Sequence, residues 1–169
     1  MARYKIIHGH YTCSYNGSDI GTTRSGFRIR ERIHTEPILV DEGGDVPIDS
    51  INRGTEYAIE VLDGMEYGKL KAAMLASTGS NSAVGQGMAQ IGTLQTANAK
   101  TLILAPASGN SAGNASITYT AAYAIVEGDV DIPLSLHVKT GAMTFICYPD
   151  PTVSTNASAN AITESGSAE

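Results

Sequence analysis

Gly109-Asn110-Ser111-Ala112-Gly113 has the G-x-S-x-G spacing of a nucleophile elbow, in which a strand-to-helix turn aims a serine hydroxyl. An apolar run, Leu102 to Ala105, precedes it, and Asp129, Asp131 and His137 follow in the order that α/β-hydrolases use. The elbow needs a helix directly after the serine, whereas Ala115 to Val126 has a period of two. A glycine-rich hairpin loop is therefore the better reading of this segment, and no catalytic residue is assigned. His8-Gly9-His10 puts two imidazoles on one face of a strand, which can begin a metal site. A third ligand would have to be His34 or His137, and no spacing supports either, so these histidines read as hydrogen-bonded members of a sheet. Asp41-Glu42-Gly43-Gly44-Asp45-Val46-Pro47-Ile48-Asp49 offers hard oxygen ligands, but without the alternate acids and terminal Glu of a calcium loop. It reads as a solvated turn or a subunit contact. Cys13 and Cys147 lack zinc-site spacing and read as half-buried thiols. No cofactor or metal is expected.

The clearest charge pattern is a stripe. Arg28, Arg30, Arg32 and His34 alternate with Phe27, Ile29 and Ile33. Three arginines without interleaved aromatics, in a chain of net charge −6, make a poor nucleic-acid signature. Glu127, Asp129 and Asp131 repeat at the same pitch, so an extended conformation there would make a matching acidic stripe. Two readings follow: pairing of the two stripes between strands or between subunits, or two independently solvated faces in which each pair would contribute no more than about 1 kcal/mol. The candidate interface set is thus Arg28, Arg30, Arg32, Asp41, Glu42, Asp45, Asp49, Glu127, Asp129 and Asp131.

The elements that would carry these residues are mostly strands. Tyr4 to Tyr15 alternates and ends at Asn16-Gly17, a hairpin turn signal. Phe27 to Val40 is strand-like, with Pro37 marking an edge or a bend. Asp41 to Gly54 reads as a loop, and Thr55 to Leu62 alternates again. Asp63 and Glu66 form a capping-box pattern before one helix, with Tyr67, Leu70, Ala73, Met74 and Ser77 on its apolar side. Residues 78 to 92 read as a long polar loop, and such loops are commonly ordered by a partner. Leu94 to Ala105, Ala115 to Val126 and Leu134 to Tyr148 complete the strands.

The chain of 169 residues is long enough for one domain with a real core. The expected class is mainly β: a sandwich or partly closed barrel with one flanking α-helix. Residues 1–149 form the domain, and 150–169 a Ser/Ala/Thr-rich tail that should be disordered alone and that a neighbouring subunit would most simply order. Of the eleven Lys and Arg residues only Lys100 and Lys139 lie beyond position 99, so the C-terminal part presents an acidic surface. No signal-peptide core and no spanning apolar run occur, so membrane insertion is not expected. The chain reads as made in a cytoplasm, soluble there or joined to something large.

Ile38-Leu39-Val40-Asp41-Glu42, Gly44 to Asp49, Ile51-Asn52-Arg53-Gly54, the strand after it and Asp63 before the helix resemble the tail tube proteins of long-tailed bacteriophages. Gly17 to Thr23, before the Gly26-Phe27 strand, is similar to the opening hairpin of that family. The resemblance covers roughly residues 10 to 77. It implies a β-sandwich-like core with a flanking helix, and hexameric rings whose inner sheets join into a barrel. It further implies that rings stack into a tube, with Asp41 to Gly54 and Thr78 to Gly92 as contact loops. Partners would be further copies, the tape-measure, tail-tip or baseplate and terminator proteins, and phage DNA passing without sequence-specific binding. The location would be the virion tail, assembled in the host bacterial cytoplasm, and no catalytic residues carry over. A conduit for DNA should not be basic, so the arginine stripe is expected to be neutralised at an interface. Competing readings are a head-decoration or tail-completion protein, a carbohydrate or cell-surface binding module, and a small hydrolase using Ser111. Aromatic residues make up only 6% and Trp is lacking, which leaves few platforms for sugar stacking.

Overall fold

A computed structural model describes residues 11–21, 23, 25–39, 46–64, 66–78, 95–107, 117–127, 141–152 and 160–166. Eight strands and one α-helix follow in the order β1 (Tyr11–Tyr15), β2 (Ser18–Asp19), β3 (Phe27–Ile38), β4 (Asp49–Gly64), α1 (Tyr67–Thr78), β5 (Lys100–Pro106), β6 (Thr118–Val126), β7 (Gly141–Tyr148) and β8 (Thr163–Ser165). A short 3-10 turn at Gln95–Ala97 leads into β5.

All described strands belong to one antiparallel sheet, ordered β2-β1-β5-β6-β7-β4-β3, with β8 beside β6. The sheet is not closed into a barrel. Its first corner is the Asn16-Gly17 turn, where both residues have positive φ (52° and 77°), the geometry that a two-residue hairpin requires. Strand β6 is central because both its edges are used. One edge pairs with β5; the other pairs with β7 along Tyr123–Val126 and with β8 along Thr118–Thr120. The C-terminal segment thus takes up β6 where β7 has left it, and Ala161 just before β8 is buried in the core. For residues 163–165 of the tail, the chain's own sheet supplies an edge to pair with.

The core lies on one face of the sheet, with α1 packed over it. Cys13 and Tyr15 of β1, Leu102 and Leu104 of β5, Ala121 and Ala124 of β6, Ile59 and Val61 of β4, and Met143, Phe145 and Cys147 of β7 meet there. Tyr15 and Phe145 stack tilted, with centroids 4.8 Å apart, and the Tyr15 hydroxyl donates to the Ala124 carbonyl at 3.0 Å. A bulge explains why Ala124 is there. Lys100 pairs with Ala124 but Leu102 with Ala121, so β6 carries one extra residue. The simple alternation of Tyr119, Ala121, Tyr123 and Ile125 therefore breaks, and Ala124 and Val126 turn to the core.

Helix α1 begins later than the capping box suggests. Strand β4 runs on to Gly64, and Asp63 sits at φ 54°, accepting a hydrogen bond from Ser25 Oγ. The first helical bonds instead go to the Glu66 carbonyl, from Lys69 N and Leu70 N at 3.1 Å each. Leu70 packs against Gly64 so closely that a Cβ there would meet its methyl carbon at 2.9 Å. Of the stripe that the sequence predicts, Leu70 and Ala73 are buried and Met74 is half-buried, while the Tyr67 and Ser77 side chains lie outside the described residues.

Candidate assembly surface

Strands β3 and β4 make a hairpin much longer than the core beneath it. Pairing runs without a gap in β3 from Phe27↔Val61 to Ile38↔Asp49, and Ile48 N then bonds to the Ile38 carbonyl at 3.0 Å. Residues 49–54, read as loop from their Asp, Asn and Gly content, are the second strand of this arm. One irregularity interrupts it: His34 faces Gly54 but Thr35 faces Asn52, leaving Arg53 as the extra residue of a bulge. Gly54 there has φ 116°, open to glycine but strained for other residues, and its N–H donates to Asn52 Oδ1 at 2.8 Å.

The body buries its large apolar side chains; the arm does not. Every large apolar side chain that is exposed among the described residues lies between Ile29 and Ile51: Ile29, Ile33, Ile38, Leu39, Val46, Ile48 and Ile51. Val46 and Ile48, at 69% and 63%, are the most exposed. A two-stranded ladder with solvent on both faces is marginal by itself, and its outer strand offers an unpaired edge.

The arginine stripe lies on the face of this hairpin away from the core, and its partners are in the adjacent strand. Arg28 Nε donates to Glu60 Oε2 at 2.6 Å, and Arg30 Nη1 lies 3.2 Å from Glu60 Oε1. The Glu60 side chain is only 9% exposed, whereas both arginines reach solvent. One buried carboxylate therefore holds two guanidinium groups. Arg32 has Glu56 as its cross-strand neighbour, and His34 Nε2 lies 3.6 Å from Glu56 Oε2. The arm's own pair is Arg53 with Glu36, Nε to Oε2 at 2.5 Å.

The acids expected to answer the stripe are placed differently. Glu127 follows β6 and accepts a hydrogen bond from the Tyr148 hydroxyl at 2.9 Å. Burial and this carboxylate together push the Tyr148 phenol up to about 12. Glu127 and Arg30 line the same open groove of about 700 Å3, together with His34, Arg53 and Glu56, without making an ion pair with each other. Asp49 pairs with Ile38 in the arm. Asp41, Glu42, Asp45, Asp129 and Asp131 lie outside the described residues, as do His8, His10, Ser111 and His137. Glu56 and Glu60 carried the legible signal: two acids four apart on the strand that a hairpin must place beside the arginines.

Among the described residues no three His, Cys, Asp or Glu side chains cluster as metal ligands would. Cys13 and Cys147 are buried free thiols, and burial pushes the Cys147 thiol up to about 12 and Cys13 higher still. Neither is poised as a nucleophile. No described helix is long and apolar enough to cross a membrane.

A smaller concavity, of about 280 Å3, opens on the core side. Tyr11, Leu104 and Tyr119 form one wall, and Phe27 and Ile29 at the root of the arm form the other. Side chains of β1, β5 and β6 thus face those of β3 across this cleft, and among the described residues β1 and β3 do not pair. Compared with models of protein families and with curated proteins, the chain matches none.

Proposed function

We propose that the chain is a structural subunit that assembles with copies of itself, and that the assembly is the tail tube of a long-tailed bacteriophage. The observation that carries this reading is the confinement, among the described residues, of exposed large apolar side chains to one projecting hairpin. Such a surface costs solubility in a lone chain and fits a subunit that buries it against others. The resemblance of residues 10 to 77 to tail tube proteins supplies the form: hexameric rings, stacked, with the open sheet edges joined into an inner barrel around a DNA conduit. The finer architecture that goes with this reading is a sandwich-like core.

The charge distribution supports a conduit. Glu60 offsets one of the two charges of Arg28 and Arg30, and Glu36 offsets Arg53, which reduces the basic patch that phosphates would meet. Further partners in this reading are the tape-measure, tip and terminator proteins of the tail, and the site of action is the virion. Electron microscopy of the purified protein tests the form. End-on views with six-fold rings and side views of stacked rings are expected. Particles that stay single, or assemblies without a lumen, would overturn the tube.

A further inference from the structure

We propose that the apolar end of the arm of one copy seats in the cleft formed by Tyr11, Phe27, Ile29, Leu104 and Tyr119 of a second copy. The inference rests on the self-assembly reading and names the receiving surface. Leu39, Val46 and Ile48 stand exposed at the far end of the arm, and the cleft is walled by aromatic and aliphatic groups with Ile29 half open at its rim. Its volume of about 280 Å3 suits a few aliphatic side chains rather than a folded element.

The arm cannot fill the cleft of its own chain. Phe27 and Ile29 stand at the root of β3 and Leu39 lies past its other end. The ladder between them, interrupted by the bulge at Arg53, holds the two sites roughly 30 Å apart at the rise of an extended strand. A donor and an acceptor this far apart on one hairpin are satisfied between copies. Charge favours the same partner. The chain that leads into Tyr11 carries Arg3, Lys5, His8 and His10 and no acid, whereas the sequence from Val40 to Asp49 carries Asp41, Glu42, Asp45 and Asp49 and no base. Because donor and acceptor are different surfaces, the contact is heterologous and adds copy after copy unless geometry closes it.

Two variants test the pairing. Ile48→Asp spoils the donor and leaves the cleft; Ile29→Asp spoils the cleft and leaves the donor. Each alone is expected to stay monomeric in sedimentation velocity at concentrations where the unmodified chain assembles, and an equal mixture to give a species of twice the mass and nothing larger. A mixture that stays monomeric, or either variant assembling as the unmodified chain does, would overturn the proposal. A covalent readout covers loss of folding in Ile29→Asp. Ile29→Cys mixed with Ile48→Cys under mild oxidation is expected to yield a disulfide-linked dimer, the buried Cys13 and Cys147 not competing; failure to link would also overturn it. The two readings fail separately. Assemblies without a lumen would end the tube and leave this contact, while tubes from both Asp variants would end this contact and leave the tube.

Discussion

Glu60 sits on the face of the sheet away from the main core, with 9% of its side chain exposed and guanidinium groups on both its oxygens. A carboxylate so enclosed is tolerable only while it is paired. Replacing both arginines (Arg28→Ala with Arg30→Ala) leaves it buried and unpaired, and should cost about 3 kcal/mol in chemical denaturation. Glu60→Gln in that background should restore most of the loss, which a merely crowded site would not show. A second ionic contact ties the helix to the first hairpin: Lys69 Nζ lies 2.7 Å from Asp19 Oδ2 and 3.0 Å from Glu66 Oε2. The hydrogen bond from Lys69 holds the Asp19 carboxyl below its ordinary 3.8, and the two carboxylates hold the Lys69 ammonium above its ordinary 10.5. The depressed acid contributes stability above pH 3.8 that is lost as pH falls through its folded value. The raised amine contributes stability below pH 10.5 that is lost as pH rises through its folded value. The difference in melting temperature between the unmodified chain and Lys69→Met should therefore be greatest between those limits and vanish beyond both. Its size will be small because both groups are exposed.

Among the elements, the arm is the least legible in sequence and the most consequential. Asp49-Ser50-Ile51-Asn52-Arg53-Gly54 has the composition of a loop, yet it is strand because β3 opposite it is long and strongly alternating. Pairing supplied what propensity lacked. The same cause hid the partner of the arginines. Glu127, Asp129 and Asp131 match the stripe in pitch, but pitch does not say which strand lies alongside, and hairpin adjacency does: Glu56 and Glu60 are brought across by the turn. By contrast Asn16-Gly17 and the helix stripe Leu70, Ala73 and Met74 were readable, since a turn and an amphipathic face are local properties. The short strand β8 was not, because three residues of Thr-Glu-Ser hold no periodicity and gain their order from the edge of β6. The bulge in the arm gives an element-scale test. Gly54→Val forces a branched side chain to φ 116° and should cost roughly 1–3 kcal/mol locally. Hydrogen exchange should then quicken along Thr35 to Asn52, while β5, β6 and β7 keep their protection.

At the scale of the whole molecule, the body and the arm separate stability from assembly. The body has the buried residues: Phe145 is fully enclosed in the core cluster, and Phe145→Ala should lower stability by about 3–5 kcal/mol. The arm has the exposed ones, and changing them removes no core contact. A chain carrying Ile33→Ser, Ile38→Ser, Ile48→Ser and Ile51→Ser should unfold at nearly the temperature of the unmodified protein and yet fail to associate. The most direct measurement is the mass of the two chains in solution across a concentration series, by sedimentation velocity. The unmodified chain is expected to shift to large, ring-sized and stacked species while the four-serine arm variant stays at the monomer mass. An unmodified chain that remains a monomer throughout, or an arm variant that associates equally well, would contradict the account.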